Sequence, residues 1–157
     1  MTTATPPAVS VVLSTYNRRR SLEHAIAALL RQAAAPPYEI LVVDNRSTDG
    51  TADLVSRLVR DSAGGRLSYL YEPRQGLSHA RNAGIAGARA PVIAFTDDDV
   101  VVREDWVASI ARAMDAYPQA EYAGGRVLPR WTSPPPRWLT RAHWSPLALQ
   151  DLSLIHI

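Results

Sequence analysis

Three consecutive aspartates, Asp97 to Asp99, stand just after the apolar run Val-Ile-Ala-Phe at residues 92–95. The run is short and is preceded by Pro91, which favours a buried strand over a helix. Three adjacent carboxylates repel one another, so their position at the end of a strand indicates a bound cation. A hard divalent metal with oxygen ligands, bridging to a substrate phosphate, fits this chemistry. For an isolated acidic run, the alternative is a solvated turn.

A second polar cluster follows the apolar run at residues 9–13. Thr15 and Asn17 supply hydrogen-bonding groups, and Tyr16 supplies an aromatic face. Arg18 supplies a planar guanidinium that suits a phosphate. These residue types at the end of a predicted strand indicate a binding site for a phosphorylated ligand.

Further polar residues follow the apolar runs at 39–43 and 67–71. Asp44 comes directly after the first of these, so we expect its carboxylate at the sheet edge, where it accepts from a ligand N–H. Asp49 and Thr51 are predicted to turn the chain into the next helix, a structural role. Arg81, in the third predicted helix, is placed to reach a ligand bound at that edge.

Strand and helix patterns alternate along the chain and predict an α/β fold with a mostly parallel sheet flanked by helices. Ser21 is the predicted N-cap of the first helix. The third helix, at 77–88, is rich in Ala and Gly, which would let its backbone approach the sheet closely. The predicted strands cover residues 9–13, 39–43, 67–71 and 92–95. In such sheets, ligands bind at the carboxyl ends of the strands, where the polar clusters fall.

The composition excludes several classes of function. The 157 residues contain no cysteine and no lysine, which rules out thiol catalysis, Walker-type phosphate loops and Schiff-base chemistry. A net charge of +2 with scattered arginines argues against nucleic acid as a partner. No apolar run approaches 18 residues and no signal-peptide pattern is present, so a cytoplasmic location is expected.

Four ordered motifs together resemble the family 2 glycosyltransferases, which have the Rossmann-like GT-A fold. The resemblance covers roughly residues 9 to 128. It implies transfer of a sugar, with inversion, from a nucleoside-diphosphate sugar such as a UDP-sugar, with Mn²⁺ or Mg²⁺ as cofactor. The motifs are Thr15-Tyr16-Asn17, Asp44-Asn45-x-Ser47-x-Asp49-Gly50-Thr51, Gly76-Leu-Ser-x-Ala80-Arg81-Asn82 and Phe95-Thr-Asp-Asp-Asp99.

The resemblance also implies roles for individual residues. Asp44 matches the family's base-recognising aspartate, and Arg81 matches its arginine near the nucleotide. Asp97 and Asp99 match the outer positions of the family's Asp-x-Asp motif and are the implied metal ligands. The full set of implied nucleotide-sugar-binding residues is Thr15, Tyr16, Asn17, Arg18, Asp44, Asn45, Arg81, Asp97 and Asp98. The order of importance among the three aspartates stays open.

We expect a disordered N-terminus at 1–8, a donor-binding GT-A part at 9–128 and an incomplete, Trp- and Pro-rich acceptor-side segment at 129–151. The final hexapeptide, 152–157, resembles a translated sequencing adapter and is interpreted as a non-native scar. After Glu121 the only acid is Asp151, so the family's catalytic base is expected beyond this chain. The chain would then bind the donor without transferring its sugar efficiently. The natural gene is expected to continue beyond this chain.

The resemblance leaves the acceptor open among glycans, glycolipids and proteins. A role in making cell-envelope polysaccharide is the general expectation, and the full-length protein would be membrane-associated only through segments outside this chain.

Two other functions compete with this interpretation. The run Asp97-Asp98-Asp99-Val100-Val101 matches the signature of haloacid-dehalogenase phosphohydrolases, with Asp97 as nucleophile and Asp99 as acid/base. That signature normally lies on the first strand, whereas three predicted strands precede it in this chain, and its downstream lysine is missing. The second alternative is an inactive fragment that only binds a nucleotide sugar.

Overall fold

The structure is a computed structural model that describes residues 5–62, 65–131 and 133–143. Outside these ranges lie Asp151, the hexapeptide 152–157 and the first four residues of the predicted disordered N-terminus. Strands and helices alternate strictly from residue 9 to residue 116. They are β1 (Val9–Thr15), α1 (Arg19–Leu30), β2 (Tyr38–Asp44), α2 (Thr51–Asp61), β3 (Leu67–Tyr71), α3 (Leu77–Gly87), β4 (Val92–Asp97) and α4 (Trp106–Ala116).

The four strands form one parallel sheet in the order β3-β2-β1-β4. This arrangement confirms the predicted α/β class. Three strands extend beyond their predicted apolar runs, so that each ends on the first polar residues of its motif. Thr15 pairs in register with Asp44, and Ser14 pairs with Asp97. The sheet register therefore brings three sequence-distant motifs to one edge.

Two apolar clusters cover the two faces of the sheet. The larger cluster joins Val11 and Leu13 of β1 to Leu22 and Ile26 of α1. The smaller cluster lies on the opposite face and joins Val12 of β1 to α3. Alternate residues of β1 enter different clusters because successive side chains of a strand point to opposite faces.

Helix α3 packs very closely on the sheet through Gly84. A Cβ atom added at this glycine would collide with the Val12 side chain of β1. This contact confirms the expectation that the small residues of the third helix permit a close backbone approach.

The predicted N-cap of α1 is wrong. The helix begins at Arg19, and the Ser21 hydroxyl donates to the Arg18 carbonyl within the first turn. The N–H of Arg19 donates instead to the carboxylate of Asp49, at 2.9 Å. Asp49 also accepts from the N–H and hydroxyl of Thr51, the first residue of α2. Its predicted structural role thus extends to the starts of two helices.

The chain divides into two compact units, Met1–Pro118 and Gln119–Ile157. Unit 1 contains the sheet and helices α1 to α4. The described part of unit 2 contains a 3-10 helix, Arg141–His143, and an edge-to-face contact between Trp138 and His143 with ring centroids 6.0 Å apart. None of the helices among the described residues combines the length and apolar character needed to cross a bilayer.

Candidate nucleotide-sugar site

A cavity of about 600 Å³ opens at the carboxyl ends of β1 and β4, beside the start of α3. Its lining contains seven residues that the sequence marked as candidates: Thr15, Tyr16, Arg18, Asn45, Asp97, Asp98 and Asp99. Residues from three separate motifs therefore share one hollow. The described residues that line this cavity do not include Asn17, Asp44 or Arg81.

The three aspartates diverge at a turn in which the N–H of Val100 bonds the carbonyl of Asp97. Asp98 is only 6% exposed and accepts a hydrogen bond of 2.8 Å from the Thr15 hydroxyl. The outer two carboxylates are more than half exposed. Each therefore remains available to a ligand in the cavity, whereas Asp98 is tied to the protein.

Two arginines balance this acidic turn. Arg18 bonds Asp99 at 2.5 Å and approaches Asp98 at 3.4 Å. Arg81 approaches Asp97 at 3.6 Å and lies over the ring of Phe95. The hydrogen bond to Asp99 and the two negative charges raise the pKa of Arg18. Arg81 does not line the cavity itself. Its ion pair nevertheless connects α3 to Asp97, which does.

Burial raises the pKa of the Asp98 carboxyl, and the charges of Asp99 and Asp97 add to this effect. The Thr15 hydrogen bond and the Arg18 charge oppose it without cancelling it. A raised pKa means that the ionised form of Asp98 is disfavoured in the folded protein.

Asp44 is almost fully buried, at 1% exposure. One carboxylate oxygen accepts from the N–H of Ser47, and the other accepts from the Tyr69 hydroxyl, both at 2.8 Å. Burial, followed by the hydrogen bond and charge of Asp44, raises the pKa of Tyr69. These two hydrogen bonds fix the orientation of the carboxyl group, and each oxygen keeps a further lone pair for another donor.

Asn45 lines the cavity, but its side chain mainly organises the loop before α3. Its amide donates to the carbonyls of Glu72 and Arg74, and its amide oxygen accepts from the N–H of Gly76 at 2.7 Å. Hydrogen bonds from Arg74 in turn lower the pKa of Glu72 to about 2. Asn45 is therefore a positioning residue for the loop before α3.

Asn17 connects two loops instead of lining the main cavity. It has a positive φ of 53°, its N–H donates to Ser47, and its side-chain oxygen accepts from the N–H of Thr48. Asn tolerates this left-handed conformation better than most residues. With Arg18 it also borders a second hollow of about 380 Å³ at the start of α1.

The donor set of the main cavity fits a metal ion that is shared with a phosphorylated ligand. Mg²⁺ and Mn²⁺ accept one or two carboxylates and complete their coordination with phosphate oxygens and water. Asp97 and Asp99 supply two exposed carboxylates at the cavity. No cluster of three potential ligand residues suited to a metal occurs within the described ranges, so the protein alone does not offer a complete cage.

Five lining residues were not proposed from the sequence: Ser14, Gln75, Gly76, Leu77 and Ala80. Most of them lie at the start of α3, within a motif that carried the family resemblance and in which only Arg81 received a site role. The detectable signal was a polar Ser14 that interrupts an apolar strand just before its end.

A parallel sheet with phosphate- and metal-compatible groups at its carboxyl edge defines a nucleotide-binding α/β protein. Residues 10–154 match the profile described as Glycosyl transferase family 2. Because this match covers most of the 157 residues, the chain belongs to family 2 of the glycosyltransferases.

The proteins that are similar to this chain support the family assignment. Validoxylamine A glucosyltransferase of Streptomyces hygroscopicus subsp. limoneus is 38% identical over 110 residues, which are 68% of this chain and 24% of that protein. The mannosyltransferase PcManGT of Pyrobaculum calidifontis, solved with GDP-Man and Mn²⁺, superposes with a TM-score of 0.61 at 29% identity, covering 72% of this chain and 33% of that one.

The fold is also similar to S. aureus TarS 1-349 solved with UDP-GlcNAc, with a TM-score of 0.61 and 25% identity. That superposition covers 69% of this chain and 31% of the TarS chain. In these three comparisons, the matched part of this chain spans a third or less of the other protein.

Proposed function

We propose that this chain is the donor-binding part of a glycosyltransferase that uses a nucleoside-diphosphate sugar. The carrying observation is that Asp97 and Asp99 present exposed carboxylates to a cavity at the carboxyl edge of a family 2 fold. Bound Mn²⁺ or Mg²⁺ would be held by these two aspartates and would stabilise the negative charge of the departing diphosphate as a Lewis acid.

The remaining residues bind and orient the donor in this proposal. Asp44 accepts from an N–H of the base, because each oxygen of its fixed carboxyl group retains a lone pair. Tyr16, 49% exposed at the cavity, offers a stacking face. Arg18 would pair with the diphosphate when Asp99 serves as a metal ligand, because its guanidinium suits phosphate oxygens. Arg81 orients Asp97.

UDP is the proposed nucleotide, with an inverting transfer. The similar structures bind different donors: TarS was solved with UDP-GlcNAc and PcManGT with GDP-Man. A glycan, glycolipid or protein acceptor would meet the donor in the cytoplasm, and synthesis of cell-envelope polysaccharide is the proposed setting.

We further propose that this chain binds the donor but transfers its sugar poorly by itself. Asp97 and Asp99 are engaged in the proposed metal contacts, and Asp98 is buried and bonded to Thr15. No carboxylate of the described lining is then left to deprotonate an acceptor. Incubation with UDP-sugars and simple acceptors should therefore give no transfer above background. Rapid turnover by the purified 157-residue chain would contradict this proposal.

Calorimetry with UDP and Mn²⁺ tests the donor site directly. Asp99→Ala should weaken UDP binding at least tenfold when Mn²⁺ is present and have little effect when it is absent. Asp115→Ala, which removes an exposed carboxylate from α4, is the matched control and should bind like the wild type. UDP binding that is indifferent to both Mn²⁺ and Asp99 would refute the metal assignment.

The phosphohydrolase alternative has less support. Asp97 ends the fourth strand in chain order, not the first, and the sequence contains no lysine for the usual partner role. Family membership also favours glycosyl transfer over phosphoester hydrolysis. A covalent phosphoaspartate at Asp97 after incubation with a phosphoester would nevertheless revive that alternative.

A further inference from the structure

Ser14 has a buried hydroxyl without a hydrogen-bond partner. Its oxygen is the only buried side-chain nitrogen or oxygen atom lacking a partner within residues 5–62, 65–131 and 133–143. An unpaired buried polar group normally costs folding free energy, so such groups are rare and call for an explanation. Ser14 also lines the main cavity, and a ligand bound there would explain the unpaired hydroxyl.

The position of Ser14 in the sheet defines its surroundings. Side chains of Ser10, Val12 and Ser14 project to the same face of β1 because they alternate along the strand. Val12 packs against Ala80 of α3 on that face, so Ser14 lies under the start of the same helix. Asp97 is its register partner on β4. The hydroxyl is thus next to the proposed donor site and outside its metal-binding turn.

We infer that the Ser14 hydroxyl is a specificity residue that bonds a neutral polar group of the nucleoside, in the base or the ribose. This inference rests on the proposed donor site. The inference requires rotation about the Cα–Cβ bond of Ser14, between staggered rotamers, from the shielded position of the hydroxyl towards the cavity that Ser14 lines. Bound nucleotide then satisfies a hydrogen-bonding group that the free protein leaves unpaired.

The chemistry near Ser14 favours the nucleoside over the diphosphate. Ala80 and Leu77 make this part of the cavity apolar, and the Asp97 carboxylate shares the sheet face with Ser14. A phosphate placed among these apolar groups, instead of at the metal proposed on Asp97 and Asp99, would be desolvated without a cation to offset its charge, which is costly. A base amide or a ribose hydroxyl carries no such penalty.

Ser10 provides a matched control on the same strand and the same face. Its hydroxyl is fully buried and donates to Glu39 at 2.6 Å, and it also accepts from the N–H groups of Arg89 and Ala90. The two serines thus differ in partners and in distance from the cavity. Ser10→Ala should lower the melting temperature and leave UDP affinity unchanged.

Ser14→Ala should behave in the opposite way. The melting temperature of the free protein should stay unchanged or rise, because an unpaired buried hydroxyl is removed. Affinity for UDP should fall about three- to tenfold, the value of one neutral hydrogen bond. Uridine, titrated at millimolar concentrations, should lose the same factor.

The possible results distinguish a failure of the proposed donor site from a failure of the proposed Ser14 contact. Absence of UDP binding by the wild type would overturn the proposed function itself. Wild-type binding that Ser14→Ala leaves intact would overturn only the role of Ser14. A lower melting temperature without loss of affinity would assign Ser14 to structure, and a loss seen with UDP but not with uridine would move the contact to the phosphates.

Discussion

The Thr15 hydroxyl donates a 2.8 Å hydrogen bond to Asp98, which joins the end of β1 to the turn after β4. This bond makes Asp98 differ from Asp97 and Asp99 in the direction and exposure of its carboxylate. Because Asp98 is held inward, the adjacent residues of the turn expose their carboxylates to the cavity. The middle aspartate is therefore held by the protein, whereas the outer two face the cavity and are each paired with a partly exposed arginine.

Asp98→Asn should change stability in a pH-dependent manner. Asparagine can still accept the Thr15 hydrogen bond, but it removes a buried charge. Burial raises the pKa of Asp98, so ionisation costs the folded protein more than the unfolded chain. The variant should match the wild type at low pH and become relatively more stable as pH rises through the raised pKa.

Melting temperatures of both proteins between pH 3.5 and pH 8 measure this difference. Asp115→Asn, at an exposed position, should track the wild type throughout and so controls for net charge. An Asp98→Asn variant that loses stability relative to the wild type as pH rises would show that the ionised Asp98 is net favourable, opposite to the effect expected from its burial.

Arg18→Gln should separate metal binding from nucleotide binding. Its guanidinium occupies Asp99 in the free protein, so its removal should tighten binding of Mn²⁺ alone by about five- to tenfold, from roughly 1 kcal/mol of relieved competition in water. Binding of UDP in saturating Mn²⁺ should weaken, because a phosphate partner is lost. Stability should change little, since a salt bridge this exposed contributes about 0–1 kcal/mol.

Calorimetric titrations with Mn²⁺ alone and with UDP in saturating Mn²⁺ measure the two effects. Arg20→Gln is the charge-matched control, because Arg20 is exposed in the first turn of α1 and should leave both affinities near wild type. Parallel loss of both affinities in Arg18→Gln would show that Arg18 supports the turn instead of competing with the metal.

The sequence predicted the sheet and its polar edge because both depend on local patterns. Apolar runs followed by polar residues mark strands and their ends, and parallel strands gather those ends together. The cap of α1 could not be predicted in this way, because Asp49 reaches Arg19 across thirty residues. Sequence spacing likewise gave no sign that Asn45 would hold the loop before α3, or that the aspartates would diverge.

Gly84→Ala should destabilise the protein even though alanine favours a helix by about 1 kcal/mol. The new methyl group would collide with Val12, a β-branched side chain with little freedom to move. Overpacking of this kind costs about 1–3 kcal/mol, so the net effect should be a loss. Gly87→Ala is the matched control: its Cβ would meet the mobile end of Leu70 at 2.9 Å. Urea unfolding should rank the control above Gly84→Ala in stability.

Glu39→Gln should weaken the protein at the opposite edge of the sheet and leave donor binding intact. Burial alone would raise the pKa of Glu39, but hydrogen bonds from Ser10 and Arg89 outweigh it and lower that pKa. A carboxyl with a lowered pKa contributes stability above its ordinary range and loses it as pH falls through the folded value.

The loss in Glu39→Gln should therefore be about 1–3 kcal/mol near pH 7, the cost of disturbing buried hydrogen bonds. It should shrink towards pH 3, where the wild-type carboxyl also becomes protonated. Urea unfolding at the two pH values, paired with UDP titration at pH 7, measures both parts. Equal destabilisation at both pH values would show that shape, and not charge, governs this edge, and a fall in UDP affinity would show that the two edges are coupled.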